Sequence, residues 1–424
     1  MDIWLDSFFE ILGLVLFLAG FVWLAQKKFE NAIYLVIFLL PLYLIKIRIF
    51  FIPLNVLEIL IGLLFLVWFS KKKYKDIKFF NIRTFSLPAL LILNGAILST
   101  LFSQNLRVSA GILKSWFVVP LIFALMVAGE IKSNQQVKKI FRWLAISGGL
   151  VAAVGLLYFL AGKVTFDGRL AAFFLSPNYL AMFLAPGFLA GLTLFDISVK
   201  KEKLFFLAII IVSGLALYLT FSYATWLALI IWVLFWLFFR GIGAARKKKT
   251  AIIYGLLFLV AIAILFASQL NSEKLDNFLH SGRSSWQSRL EIWRAAWAIA
   301  KDHPIFGIGP GMFQDYYLKY QNRFVVPYLE WAVPQPHNLF LAFWLETGLL
   351  GLVGFIWLLI IFFKKIYASA KSNYSALILV IMMGYTLTHG LIDTTYFKND
   401  LAVVFWVIIA LFIGLLSVEK KRGD

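Results

Sequence analysis

Runs of about twenty apolar residues, repeated along the whole chain and separated by short charged loops, limit its fold more than any other feature. Roughly thirteen runs reach the length a spanning helix needs. They lie near 7–25, 31–47, 49–69, 85–102, 110–128, 140–161, 173–195, 204–221, 224–239, 250–268, 338–362, 375–392 and 400–418. Hydrophobic residues make up 62% of the 424 and charged residues 14%, too apolar a balance for a water-soluble fold. Lipid offers backbone N–H and C=O groups no partners, so each run must satisfy them internally, as a helix. The expectation is an all-α, polytopic transmembrane helical bundle of about 12–13 spans. Three regions follow: an N-terminal transmembrane group at 1–268, a large loop at 269–337, and C-terminal transmembrane helices at 338–424.

A formal charge of +19 invites a nucleic-acid reading, but the positions of the charges argue against it. About 26 of the 40 basic residues fall in loops at 27–28, 71–83, 132–142, 200–203, 240–249, 364–371 and 420–422, against about 7 in the short loops opposite. The long loop holds the other 7 or so, and long loops do not count in the positive-inside rule. This asymmetry puts the large loop and the N-terminus outside and the C-terminus in the cytoplasm. The excess charge then orients the chain and meets anionic membrane lipids, with no nucleic-acid partner expected. Asp2 and Asp6 precede the first run without a basic segment, so it does not read as a signal peptide. The chain has no cysteine, which excludes disulfides, thiolate nucleophiles and cysteine metal sites.

The segment 283–348 is long and polar for such a chain. Trp286, Leu290, Trp293 and Trp297 recur at helical spacing, with Gln287, Glu291 and Arg294 on the other side. That pattern predicts an amphipathic helix suited to the headgroup layer. Asp302-His303-Pro304 ends it, Gly307, Gly309 and Gly311 make a tight turn, and a second short helix is expected from Phe313 to Tyr320. Pro334 and Pro336 hold the chain extended up to His337, and Asn338 is a good N-cap for the next span. His337 would then stand at a helix N-terminus on the outer boundary, where the dipole favours the neutral ring, a proton acceptor. A histidine that merely caps or packs there is the plain alternative. His303 reads as structural and His280 carries little signal. His389, four residues before Asp393, reads as a satisfied buried pair with it.

Arg289 lies at the border of the tryptophan stripe, from which its guanidinium could reach the mouth of the bundle. Arg169 sits in an apolar turn before Ser176-Pro177-Asn178. A guanidinium fork binds phosphate oxygens in pairs, although arginine also serves as a headgroup anchor. There is no Asp-x-Asp or Glu-x-Glu and no histidine cluster with ligand spacing, so neither a metal site nor a cofactor is expected. The GIGPG run is no dinucleotide fingerprint, because no strand precedes it.

Arg289 followed by IWRAAWAIAKDHPIFGIGPGMF, then His337-Asn338 and, further on, Gly348-Leu349-Leu350-Gly351, resembles the O-antigen ligase and polymerase superfamily. Arg169 with Ser176-Pro177-Asn178-Tyr179-Leu180-Ala181 looks like that family's Arg…Asn-Pro-Asn-x-x-Ala segment, with Ser176 replacing the first Asn. The resemblance implies a metal-independent glycosyltransferase of the GT-C type in the bacterial inner membrane, with its site on the periplasmic face. The donor would be a glycan on undecaprenyl pyrophosphate. The acceptor would be lipid A–core for a ligase, or another lipid-linked glycan for a polymerase. Carried over by position, Arg289 would grip pyrophosphate and His337 would orient or deprotonate the acceptor hydroxyl. Arg169, Tyr223, Arg283 and Asn338 are the candidates for holding the pyrophosphate and lipid. One position departs: Ser222-Tyr223-Ala224-Thr225-Trp226-Leu227 resembles a Ser-Arg-x-x-x-Leu element, with tyrosine where the family has a second arginine.

The leading expectation is therefore an O-antigen ligase-like transferase, with a polymerase as the same-class alternative. A non-enzymatic polysaccharide flippase or exporter is the alternative from another class. Transport would favour ionisable residues on mid-bilayer helix faces, and Glu58 and Lys114 are the obvious cases to examine.

Overall fold

A computed structural model describes residues 3–4, 8–49, 52–76, 79–241, scattered positions within 252–270, and 285–323, 330–370 and 373–423. The chain is an all-α polytopic membrane protein. Its helices are α1 (Phe8–Lys27), α2 (Phe29–Phe38), α3 (Val56–Ser70), α4 (Phe79–Leu101), α5 (Leu106–Leu113), α6 (Val119–Glu130), α7 (Asn134–Leu160) and α8 (Pro177–Ile197). They continue with α9 (Lys200–Leu219), α10 (Tyr223–Gly241), α11 (Ser285–Asp302), α12 (Phe313–Tyr320), α13 (Leu339–Ala370), α14 (Tyr374–Gly390) and α15 (Asn399–Gly423). Among the described residues, eight segments are long and apolar enough to cross a membrane, and α2, α3, α10 and α14 are shorter apolar helices. The expected span at 250–268 lies largely outside the described residues.

The runs at 31–47 and 49–69 are not two plain spans. Pro41 and the alternating β-branched isoleucines Ile45, Ile47 and Ile49 end the helical path, and the chain turns through an antiparallel pair of strands. With β1 at Ile3–Trp4, β2 (Ile45–Ile49) and β3 (Ile52–Asn55) form a three-stranded sheet in the order β1-β2-β3. Asn55 then caps α3 in a reciprocal box with Glu58. Glu58 is buried and pairs with Lys114 at 2.8 Å, while Ser115 also donates to it. Lys114 and Ser115 begin a π-helical turn, Lys114–Val118, that turns both side chains towards Glu58. The two ionisable residues singled out in the sequence thus hold each other.

Helices α4 and α13 pack along their length because glycines let the backbones close. A Cβ on Gly95 would lie 2.5 Å from the Gly351 amide nitrogen. α15 is the central element and is almost wholly buried among the other helices. A second, smaller core lies under α11 and α12. Helix α11 buries Ile292, Ala295, Ala296, Ile299 and Ala300 against α12 and Leu345, while Trp286 and Trp297 stay half-exposed on its flank.

The glycine turn between α11 and α12 docks on α13 where that helix is broken at Gly348 (φ 65°). The Ile308 N–H donates to Leu345 O at 2.7 Å, and the Leu349 N–H to Ile305 O at 3.0 Å. The Gly309 N–H donates to Ser99 Oγ and the Gly311 N–H to the buried Glu346 carboxylate, both at 2.9 Å. A Cβ at Gly307 (φ 70°) or Gly348 would collide with backbone atoms of the opposite partner. The motif therefore fixes the helix that carries Arg289 to the helix that begins just after His337.

Candidate functional site

The site is built where four connections meet at one end of the bundle. The first is the loop joining α7 to α8, which carries Arg169. Its Leu170 N–H donates to Leu219 O at 2.8 Å, pinning it to the end of α9. The second is the 220–222 tip between α9 and α10. The third is the segment 334–338 entering α13, and the fourth is the turn 391–398 between α14 and α15.

Asp393, in the fourth connection, is the hub. It is fully buried at the carbonyl end of α14, where a carboxylate is unfavourable unless cations offset it. His337 Nδ1 lies 2.9 Å from its Oδ1, and the Thr394 N–H also donates there. On the other oxygen, Asn178 Nδ2 stands at 3.4 Å and Arg289 Nη2 at 4.0 Å. Burial alone would raise the Asp393 pKa, but His337 and then Arg289 outweigh it and hold the group well below the usual carboxylate range. An ionised carboxylate against Nδ1 assigns the hydrogen to that nitrogen, leaving the Nε2 lone pair of His337 open. The side chain of His337 is about a quarter exposed, at 26%.

Arg289 comes from the first turns of α11, and its Nε donates to Ile392 O at 2.9 Å. Arg169 donates through Nε to Thr220 O at 2.7 Å and through Nη2 to Asn178 Oδ1 at 2.8 Å, with Asp167 at 3.7 Å. Burial pushes the Arg169 guanidinium down from its ordinary value; Asp167 opposes this and the nearby charge of Arg289 adds to it. Two guanidiniums close enough to repel each other would be relieved by an anion between them. Between them lies a cavity of about 290 Å³, walled by Arg169, Asn178, Ser222, Tyr223, Trp286 and Arg289 with Phe221, Ala224, Leu227 and Ile392.

The structure thus brings Arg169, Tyr223 and Arg289 onto one cavity and sets His337 beyond Asp393 from it. Asn338 is turned to scaffold work: its Oδ1 caps Phe340 and Leu341, and its Nδ2 donates to Leu391 O. Arg283 lies outside the described residues, as does His280. His303 packs edge-on against Tyr316. His389 does not pair with Asp393, as its spacing suggested; its Nδ1 faces Tyr385 Oη at 2.8 Å. The reason is geometric, since both Ile392 and Asp393 donate their N–H groups to His389 O, which turns the Asp393 side chain towards His337 instead. Among the described residues no three His, Asp or Glu side chains converge as metal ligands.

Fold and site define a multi-pass, all-α membrane protein with an arginine-walled cavity beside a histidine–aspartate pair. Residues 206–356 match the family model described as O-antigen ligase. A curated O-antigen ligase from Salmonella typhimurium is 30% identical over 146 residues, covering 33% of this chain and 34% of that protein. Both matches are to O-antigen ligases, and the alignment spans about a third of the relative's length. The matched segment contains Tyr223, Arg283, Arg289, His337 and Asn338, whereas Arg169, Asn178 and Asp393 come from outside it.

Proposed function

We propose that the protein transfers a glycan from a lipid pyrophosphate, undecaprenyl pyrophosphate in a bacterial inner membrane, to an acceptor hydroxyl on the periplasmic face. The single observation that carries this reading is Asp393 holding a base and a cation at once, His337 on one oxygen and Arg289 on the other. The pyrophosphate occupies the cavity between Arg169 and Arg289. The acceptor hydroxyl loses its proton to His337 Nε2 as its oxygen bonds to the anomeric carbon. The bond from that carbon to phosphate breaks, and its electron pair leaves with the pyrophosphate. Fixed cations in a partly dry cavity lower the cost of that growing charge, and a positioned base contributes roughly 10²–10⁴-fold. Trp286 and Leu227, both exposed on the cavity wall, suit a lateral entry for a prenyl chain.

A ligase acting on lipid A–core is the form we favour, because the curated relative is named a ligase. A polymerase would use the same cavity with a second lipid-linked glycan as acceptor. An exporter has less support, since Glu58 and Lys114 are spent on each other. The test incubates purified protein with a lipid-linked oligosaccharide and candidate acceptors. Wild type should transfer glycan, and His337→Ala and Arg289→Ala should fold and lose transfer. Full transfer by His337→Ala would remove the base, and a ladder on the carrier lipid would assign a polymerase instead.

A further inference from the structure

Below the cavity floor runs a line of polar side chains with no place in the reaction just described. Ser222, at the tip between α9 and α10, lines the cavity. Thr225, one turn into α10, donates from Oγ1 to Ser222 Oγ at 2.9 Å. The Thr225 hydroxyl faces that of Tyr385 on α14. Tyr385 Oη in turn stands 2.8 Å from His389 Nδ1. These four residues are between 0% and 3% exposed, in a bundle where unpaired polar groups are costly.

The hydrogens along this line have one consistent direction. His389 Nε2 is buried with no hydrogen-bond partner among the described residues. A buried N–H left without an acceptor is rarer than an unused lone pair, so the hydrogen belongs on Nδ1. His389 then donates to Tyr385, whose own hydrogen is available to Thr225, and Thr225 donates to Ser222. The Ser222 oxygen is thereby filled as an acceptor, and its own hydrogen remains to be given to the cavity. Each donor in such a chain polarises the next, so the last hydroxyl is a better donor than an isolated serine.

We propose that Ser222 is a neutral hydrogen-bond donor to a phosphate oxygen in the Arg169–Arg289 cavity, with Thr225, Tyr385 and His389 acting as positioning residues behind it. The proposal rests on the functional reading above and adds the means by which this chain, with Tyr223 on the cavity wall, completes its set of anion donors.

The experiment measures the dissociation constant of inorganic pyrophosphate for the purified full-length protein, in wild type, Arg169→Ala, Ser222→Ala, Tyr385→Phe and the double variant Ser222→Ala/Tyr385→Phe. Hydrogen bonds to charged groups are worth enough that Ser222→Ala should weaken binding by about tenfold. Tyr385→Phe should weaken it by a smaller factor, and the double variant should match Ser222→Ala alone, because one chain is being cut twice. A merely structural role for Tyr385 would instead give additive losses. Where Tyr385→Phe fails to fold, Thr225→Val cuts the same chain, and Thr225→Ser should restore binding. Pyrophosphate binding that Arg169→Ala weakens and Ser222→Ala leaves unchanged would overturn this inference alone. No binding by wild type would overturn the functional reading with it.

Discussion

Replacing Asp393 by asparagine is the sharpest perturbation the site allows, because it keeps shape while removing the charge that two partners share. Every neighbour of that side chain is a donor: His337 Nδ1 and the Thr394 N–H on Oδ1, Asn178 Nδ2 and Arg289 on Oδ2. An asparagine must point its amide hydrogens at one of these sets. Turned towards Arg289, it leaves two guanidiniums facing each other with less counter-charge. Turned towards His337, it forces the hydrogen onto Nε2 and abolishes the base. The second orientation removes the general-base term, a loss of roughly 10²–10⁴-fold, or about 3–5.5 kcal/mol in the barrier, while the first weakens the neutralisation of the leaving group. The assay is the initial rate of glycan transfer at saturating donor, with the thermal midpoint in detergent as the folding control. A variant that folds and keeps more than a tenth of the wild-type rate would refute the hub role. The sign of the pH effect follows from the same geometry. Asp393 is held below its unfolded value of about 3.9, so its contribution to stability is complete above that pH and is lost only on acidification below it. Between about pH 8 and 5, no loss of stability should trace to this group.

Arg169→Lys should keep the charge and still weaken the donor, raising its KM by about tenfold, because one ammonium cannot serve both Thr220 O and Asn178 Oδ1. An unchanged KM would show that charge alone matters there. Gly307→Ala should lower stability by about 2 kcal/mol or more, read as a fall in thermal midpoint, since the new methyl meets the Leu345 carbonyl at a left-handed backbone position. A midpoint equal to wild type would contradict the docked turn. Lys114→Met should cost about 3–5 kcal/mol by stranding the Glu58 carboxylate, and Glu58→Gln in the same chain should recover much of it. Failure of the second change to help would mean that the pair is not coupled.

The spans were legible because apolar length is a strong signal, and the ends of α11 and α12 were legible because Pro304 and the glycines mark them. The β2–β3 pair was not. A membrane run of Ile, Leu, Pro and Tyr has the same hydropathy as a helix, and the sequence does not show that Ile45–Ile49 would pair with Ile52–Asn55. On α11 the tryptophan stripe stays partly exposed, and a quieter stripe of Ile292, Ala295 and Ile299, not singled out in the sequence, packs against the protein. Arg169, Tyr223 and Arg289 were singled out as separate points, yet only folding brings positions 169, 223 and 289 to one cavity. The real omission was the place of Asp393. Its spacing from His389 matched a helical pair, but α14 stops at Gly390, so helical spacing no longer applies beyond it.

Backbone strain points to the same end of the molecule. Among the described residues only four other than glycine have positive φ, and three of them border this site: Ala172 at 50°, Phe221 at 45° and His337 at 47°. Such conformations cost of order 1–3 kcal/mol each and persist only where the surroundings over-determine them. At His337 the surroundings are visible: Trp293 donates to its carbonyl, Asp393 takes its ring, and Asn338 fixes the helix that follows. At Phe221 they are the Tyr218 and Trp226 rings and the Arg169 bond to Thr220 O. A chain selected only to sit in lipid would put glycine at these positions and relax. Keeping an imidazole and a phenyl ring there fits a fold that gives up stability to hold a histidine, two guanidiniums and a hydroxyl at one end of the bundle.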